Sequence, residues 1–222
     1  MSEILERLMN CVELGKIDKK SLYPPSLKGQ DGADELCQLA LDEGIKPQEI
    51  LNLALIPGMS KIGEKFSLGK AYVPEMLISA KAMTAAMKHL KQFLVSGELK
   101  RKGIFVIGTV FGDLHDIGKN IVSMTLEGSG WEVIDLGVDV KAEKFIGAIN
   151  KYPDCVVGLS ALLTTTMANM ESIVIDIRKN DPDRVILVGG SPLSQDFCNK
   201  IGASFYAPDP QGAVEFLKRL TA

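Results

Sequence analysis

The sequence predicts an α/β protein in two parts: an N-terminal all-α four-helix bundle over residues 1–97, then a parallel five-stranded sheet wrapped by helices over residues 98–222. Three observations predict it. Up to residue 97 the apolar residues recur at helical spacing, with prolines as starts and glycines as stops. From Lys102 onward, short β-branched runs alternate with helical stretches five times. Between them, Ser96-Gly97-Glu98-Leu99-Lys100-Arg101-Lys102 is short, polar and charged, as a domain linker is.

In the first helical stretch, Glu3 to Gly15, the residues Ile4, Leu5, Leu8 and Val12 share one face and Gly15 ends the run. Asp31 to Gly44 repeats the design with Leu36, Leu39, Ala40 and a second glycine stop. Lys46-Pro47 opens the third, because proline suits the first helical turn. Its Pro57-Gly58 is expected to bend or interrupt it before Phe66, and Ser67-Leu68-Gly69-Lys70 closes it. Pro74 opens the fourth, in which Met76, Ala80, Met83, Met87, Leu90 and Leu94 recur at steps of four and three; His89 reads as a surface residue beside that stripe. Up-down packing is the expected arrangement. Strands are expected at 103–109, 131–136, 155–160, 184–189 and 203–206, with helices near 118–129, 141–151, 164–179, 194–201 and 210–220. In the common 2-1-3-4-5 order of a flavodoxin-like, Rossmann-type sheet, ligands bind where the order reverses, between the first and third strands.

Composition narrows the function classes. Hydrophobic residues make up 46% and charged residues 24% of the 222, which argues against disorder. The net charge is −3, and residues 1–97 carry twelve basic and twelve acidic side chains, so no nucleic-acid footprint is present. No apolar run approaches the roughly 20 residues of a spanning helix. Met1-Ser2-Glu3 opens an amphipathic acidic helix in place of a leader peptide, so a cytoplasmic location and no membrane partner are expected. Cys11, Cys37, Cys155 and Cys198 form no Cys-x-x-Cys pair, which fits a reducing compartment and offers neither a zinc knuckle nor a dithiol.

The chemistry concentrates at one sheet edge. The first strand runs into Asp113-Leu114-His115-Asp116-Ile117-Gly118, which sets an imidazole between a carboxylate and a glycine on a strand-to-helix loop. The third runs into Ser160-Ala161-Leu162-Leu163-Thr164-Thr165-Thr166, and the fourth ends in Gly189-Gly190. Hydroxyls bond a polar ligand, and glycines let it approach the backbone. Plainer roles stay open: His115 as a loop histidine satisfied by Asp113 or Asp116, Thr164 to Thr166 as a helix cap, Gly189-Gly190 as a tight turn, and the methionines as core filling.

Asp113-x-His115-x-x-Gly118, Ser160-x-Leu162 and Gly189-Gly190, separated by 41 and 26 residues, resemble the cobalamin-binding signature of corrinoid proteins. Those proteins serve methyltransferase systems; they include the cobalamin-binding module of methionine synthase and the methylamine, methanol and O-demethylase corrinoid proteins. Gly63-x-x-Phe66-x-x-Gly69, Val73-Pro74-Glu75-Met76 and Ala80-x-x-Met83 are similar to that family's methylcobalamin cap. The resemblance implies that His115 is the lower ligand to cobalt, replacing the cofactor's own base (base-off, His-on). It implies that Asp113 bonds the other ring nitrogen and that Thr166, where relatives carry serine, extends this relay. Gly118, Ser160, Leu162, Thr164, Gly189 and Gly190 then house the cofactor and its displaced tail, with Met76 and Met83 contributed by the cap. The implied function is a carrier without an active site of its own. It shuttles a methyl group on cobalt from a substrate:corrinoid methyltransferase to a methylcorrinoid:acceptor methyltransferase that uses tetrahydrofolate or a thiol coenzyme, and a reductive activator restores it. Alternatives are a cobalamin-dependent sensor or regulator, a mutase small subunit, and a receiver-type domain without cobalt.

Overall fold

The computed structural model describes residues 2–220; Met1, Thr221 and Ala222, at the outer ends of the two expected domains, lie outside the described residues. The chain divides into two compact units, one running to Arg101 and taking in Gly128–Gly130, the other made of Lys102–Glu127 and the chain from Trp131 onward.

The first unit is helical: α1 (Glu3–Leu14), α2 (Ala33–Asp42), α3 (Pro47–Ile50), α4 (Ile56–Ser67) and α5 (Val73–Ser96). Helix α1 buries Ile4, Leu5, Leu8, Cys11 and Val12 along one stripe, and it packs against α2, α4 and α5. It stops at Gly15, whose φ of 74° is left-handed, and a Cβ there would lie 2.4 Å from Ile78. Side chains tie the helices across their faces. Ser79 Oγ donates to Glu13 O at 3.0 Å. His89 Nε2 meets Asp34 Oδ1 at 2.7 Å, so this partly buried histidine joins α5 to α2 rather than standing free on the surface. Met76 and Met83 are both buried.

The interruption expected at Pro57-Gly58 lies upstream and takes a different form. Leu51–Leu55 form a π turn between α3 and α4, and Ile56 N–H donates to Leu51 O, five residues back. Pro57 sits in the first turn of α4; it has no N–H to give and its ring collides with the carbonyl four residues earlier, which the wider turn relieves. The buried pairs Ile50-Leu51, Ala54-Leu55, Gly58-Met59 and Ile62-Gly63 repeat every four residues. A pure α-helix drifts by about 40° per such step, and the π turn takes up that drift.

The second unit is the doubly wound sheet: β1 (Ile104–Thr109), α6 (Ile117–Gly128), β2 (Glu132–Asp135), α7 (Ala142–Lys151), β3 (Val156–Ser160), α8 (Met167–Asn180), β4 (Ile186–Gly189), α9 (Gln195–Ile201), β5 (Phe205–Tyr206) and α10 (Pro210–Leu220). All strand pairs are parallel, and their order is β2-β1-β3-β4-β5, the 2-1-3-4-5 arrangement. Alternation along β1 feeds two cores: Val106 joins Val157, Val188, Phe145 and Ile177 on one face, while Phe105 and Ile107 join Trp131, Leu126 and Leu217 on the other. Strands β2 and β4 are each two residues shorter than predicted, and two further elements are cut back. The edge strand β5 keeps two residues, and Thr164–Thr166 form a 3-10 turn ahead of α8. Among the described residues no helix is long and apolar enough to cross a membrane.

Candidate functional site

Strands β1 and β3 lie side by side with Thr109 opposite Ser160, so the loops that follow them leave the sheet together, at the point where the strand order reverses. Val110 N–H donates to Ser160 O at 3.0 Å, joining the two loops at their root. The β1 loop then turns tightly. Asp113 N–H returns to Val110 O at 3.1 Å, and Gly112 takes the left-handed conformation with a φ of 82° that the turn requires.

That turn drives the Asp113 carboxylate inward, where it is fully buried. Its Oδ1 accepts from His115 N–H at 3.1 Å and faces His115 Nδ1 at 2.9 Å. Its Oδ2 accepts from Leu162 N–H at 2.8 Å, Leu163 N–H at 3.2 Å and Thr166 Oγ1 at 2.8 Å. Burial pushes the carboxyl pKa up, but the backbone donors Leu162 and His115, with the His115 ring and the Thr166 hydroxyl, outweigh it and hold the group well below the usual carboxylate range. Asp113 is therefore a carboxylate and can only accept. Nδ1 of His115 must carry the hydrogen, and the neutral ring keeps its lone pair on Nε2. The ring is 53% exposed, and its backbone is pinned by the fully buried Thr109 hydroxyl, which donates to His115 O at 2.8 Å.

Thr166 occupies the N-cap position of α8, yet its side chain makes no cap bond. Its single hydroxyl hydrogen lies between Asp113 Oδ2 and Leu163 O, the latter at 2.9 Å, and the charged acceptor is the stronger. Leu162 reaches Asp113 through its backbone and leaves its side chain exposed. The hydroxyls of Ser160 and Thr164 have no hydrogen-bond partner among the described residues.

The three glycines differ in what holds them. At Gly190, φ is 136° and a Cβ would lie 1.8 Å from Ala161 O, so the fold itself demands glycine. At Gly189 a Cβ would meet only Ala207 O at 3.4 Å. At Gly118, in the first turn of α6, it would meet no atom within 4 Å. Around this edge Phe111, Leu114, Ile117, Val138 and Leu163 also stand exposed, with Leu114 at 73% and Ile117 at 68%. Met76 and Met83 belong to the helical unit.

Sequence reasoning did not find Thr109, Leu163 or the apolar residues Leu114 and Ile117. The two leucine amides carry no side-chain signal. Leu114 and Ile117, however, flank His115 within the quoted loop, and exposed apolar residues beside a candidate ligand histidine are a readable cue.

Two family models of a B12 binding domain match the chain, one over residues 103–214 and the other over residues 30–91. The dimethylamine corrinoid protein of Methanosarcina barkeri is 41% identical over 182 residues, covering 80% of this chain and 85% of the relative. The chain belongs to the B12-binding corrinoid proteins. Among solved structures, the methanol:cobalamin methyltransferase complex of Methanosarcina barkeri superposes on this corrinoid protein with a TM-score of 0.82 at 27% identity, covering 99% of this chain and 80% of the other. A cobalamin-binding protein from Desulfitobacterium hafniense gives 0.76 at 27% identity, over 99% of both chains. The family read from the three sequence elements, the two-part fold and the corrinoid cofactor are all borne out.

The residues present fit that cofactor. Among the described residues no group of three or more His, Cys, Asp or Glu is placed to hold a bare ion, so a metal at His115 has to bring its other ligands with it, as a corrin does. The open space over Gly118 and the exposed apolar residues beside His115 suit a large, flat, partly apolar group.

Proposed function

We propose that this corrinoid protein is a methyl carrier that holds its cofactor base-off with His115 Nε2 as the lower axial ligand. The observation that carries this reading is the Asp113 carboxylate, buried and gripped by donors from both loops, which commits Nδ1 to a hydrogen and Nε2 to a free lone pair. When bound, the corrinoid supplies a cobalt centre that takes a methyl group from one partner and gives it to another.

The chain's own residues orient and buffer this exchange. Asp113 fixes the tautomer and the orientation of the ring, as a carboxylate behind a ligating histidine does. Thr166 Oγ1 holds Asp113 Oδ2. Asp113 Oδ1 would keep the ring held at Nδ1 if Nε2 were to leave the cofactor. Gly118 leaves room for the ring system, and Ser160, Leu162, Thr164, Gly189 and Gly190 receive the displaced tail. The helical unit serves as the cap, with Met76 and Met83 among its lining.

The partners in this reading are a substrate:corrinoid methyltransferase, a methylcorrinoid:acceptor methyltransferase that uses tetrahydrofolate or a thiol coenzyme, and a reductive activator. The dimethylamine relative makes a methylamine the first donor to try. Four free cysteines, all buried, support a cytoplasmic setting.

The test is anaerobic reconstitution with hydroxocobalamin, comparing wild type with His115→Ala by visible spectrum. Corrinoid retained by both, with a spectral component present only in wild type, is the expected result. Identical spectra overturn His115 ligation. A methyl-transfer assay with a purified dimethylamine:corrinoid methyltransferase then tests the carrier role, and no transfer from any methylamine overturns that donor class.

A further inference from the structure

Asp139 lies outside every motif element, on the loop between β2 and α7, yet it is bonded to the histidine-bearing loop at two points. Gly112 N–H donates to its carboxylate Oδ1 at 2.7 Å, and its own N–H donates to Asp113 O at 3.0 Å. The ladder between β1 and β2 continues past the strand ends to bring it there: Thr109 N–H donates to Gly137 O at 3.0 Å, Val140 N–H donates to Thr109 O at 2.9 Å, and Val110 bridges Val140. Among the described non-glycine residues Asp139 alone has a positive φ, 55°. Aspartate tolerates that region better than most residues, but a strained backbone next to a ligand loop persists only where the surroundings enforce it. Here the left-handed turn aims both the amide and the carboxylate of one residue at the Gly112-Asp113 segment, bonding the peptide N–H that enters it and the carbonyl that leaves it.

Resting on His115 as the cobalt ligand, we propose that Asp139 is a positioning residue that clamps the Gly112-Asp113 backbone and thereby sets the direction in which Asp113 presents His115. The reasoning is geometric. His115 is oriented by Asp113 and Thr109, and the Asp113 side chain can hold its donors on β3's loop and on His115 together only if its own backbone does not rotate. Asn169 Nδ2, donating to Phe111 O at 2.7 Å, holds the other side of the peptide whose N–H Asp139 accepts, and Val110 O holds Asp113 N–H, so Asp139 completes the grip at the Gly112 N–H and the Asp113 carbonyl.

The test uses three variants of the full chain. Asp139→Gly keeps the left-handed backbone and its N–H while deleting the acceptor; Asp139→Asn keeps an acceptor and also tolerates that conformation; His115→Ala defines the spectrum without ligation. Each is reconstituted with hydroxocobalamin, and the ratio of His115-ligated to unligated cofactor is read from the visible spectrum alongside the apo-protein melting temperature. Loss of one charge-assisted bond is expected to lower that ratio about ten-fold in Asp139→Gly. The melt should move little, and Asp139→Asn should stay within about three-fold of wild type. If Asp139→Gly retains too little folded protein to load, Asp139→Ala, which also lacks an acceptor, carries the same comparison. An unchanged ratio in the deletion variant overturns the clamp while leaving His115 ligation intact, whereas a wild-type spectrum identical to that of His115→Ala overturns ligation itself and the clamp with it.

Discussion

Asparagine in place of Asp113 is nearly isosteric but cannot satisfy the same donors, and counting them predicts two separate losses. The carboxylate meets two donors at Oδ1 and three at Oδ2. An amide has one oxygen. With that oxygen toward His115, the NH2 group confronts Leu162 N–H and Leu163 N–H and leaves two donors unpaired. With it toward the leucine amides, only His115 N–H is left without an acceptor, because the ring can turn Nδ1 into an acceptor and move its hydrogen to Nε2. An unpaired buried donor costs about 1–3 kcal/mol, so the second arrangement wins by about that margin, and at 1.4 kcal/mol it already holds about nine molecules in ten. In that arrangement Nε2 carries a hydrogen and has no lone pair to offer. Asp113→Asn should therefore lower the His115-ligated share of bound cobalamin at least about five-fold, read from visible spectra after reconstitution. Loss of the charge-assisted bonds and the unpaired amide together should cost the apo-protein about 2–4 kcal/mol in urea unfolding. A variant that unfolds within 1 kcal/mol of wild type, or keeps the wild-type spectrum, would refute the account of Asp113 as the residue that fixes the tautomer.

Further outcomes follow from the same geometry. Thr166→Val deletes one of the donors to Asp113 and should cost about 1–2 kcal/mol, whereas Thr166→Ser keeps the hydroxyl; urea titration separates them. Gly118→Ala places a methyl group where no protein atom lies within 4 Å. Its apo-protein should melt at or above wild type, by up to about 1 kcal/mol of helix propensity, while its cobalamin affinity in spectral titration falls at least about ten-fold. Loss of both stability and affinity would mean the space over Gly118 is not the cofactor's. Because the folded Asp113 carboxyl sits below its ordinary 3.8, its contribution to stability is fully present above that value. As the pH falls below it the unfolded chain binds the proton first, and the contribution is lost toward the lower, folded pKa. Acid unfolding of Asp113→Asn should accordingly show a shallower pH slope in that window than wild type.

Most of the sheet was legible because its strands are short β-branched runs between turn residues, a pattern with few other solutions. The loop after β1 was legible through its company: His115 beside Asp113 reads equally well as a satisfied loop histidine, and it is the spacing to Ser160-x-Leu162 and Gly189-Gly190 that resembles the cobalamin-binding signature. What escaped was whatever acts through the backbone. Leu162 and Leu163 bind Asp113 with amides that any residue would supply, and Thr109 is one hydroxyl at a strand end among several. Asp139 is an ordinary loop aspartate until its φ is known. The 3-10 turn at Thr164–Thr166 was read as helix because residues around it have helical spacing, and Thr166 was open to a capping role that Asp113 pre-empts. Pro57 was read where it stands, although a proline disturbs the carbonyl one turn earlier.

The π turn at Leu51–Leu55 makes the length of this segment a stricter requirement than its composition. Deleting any one of its residues would remove the wide turn and return Pro57 to an α-helical register, where its ring meets the carbonyl four residues earlier. The same deletion would swing everything after it by about 100° and draw it back by about 1.5 Å, carrying Met59 and Ile62 from the inside of the bundle toward water. Conservative substitutions among Leu51, Ala54 and Leu55 preserve the face, while a shortened loop-free version loses it, so the irregular turn is where this helix keeps count.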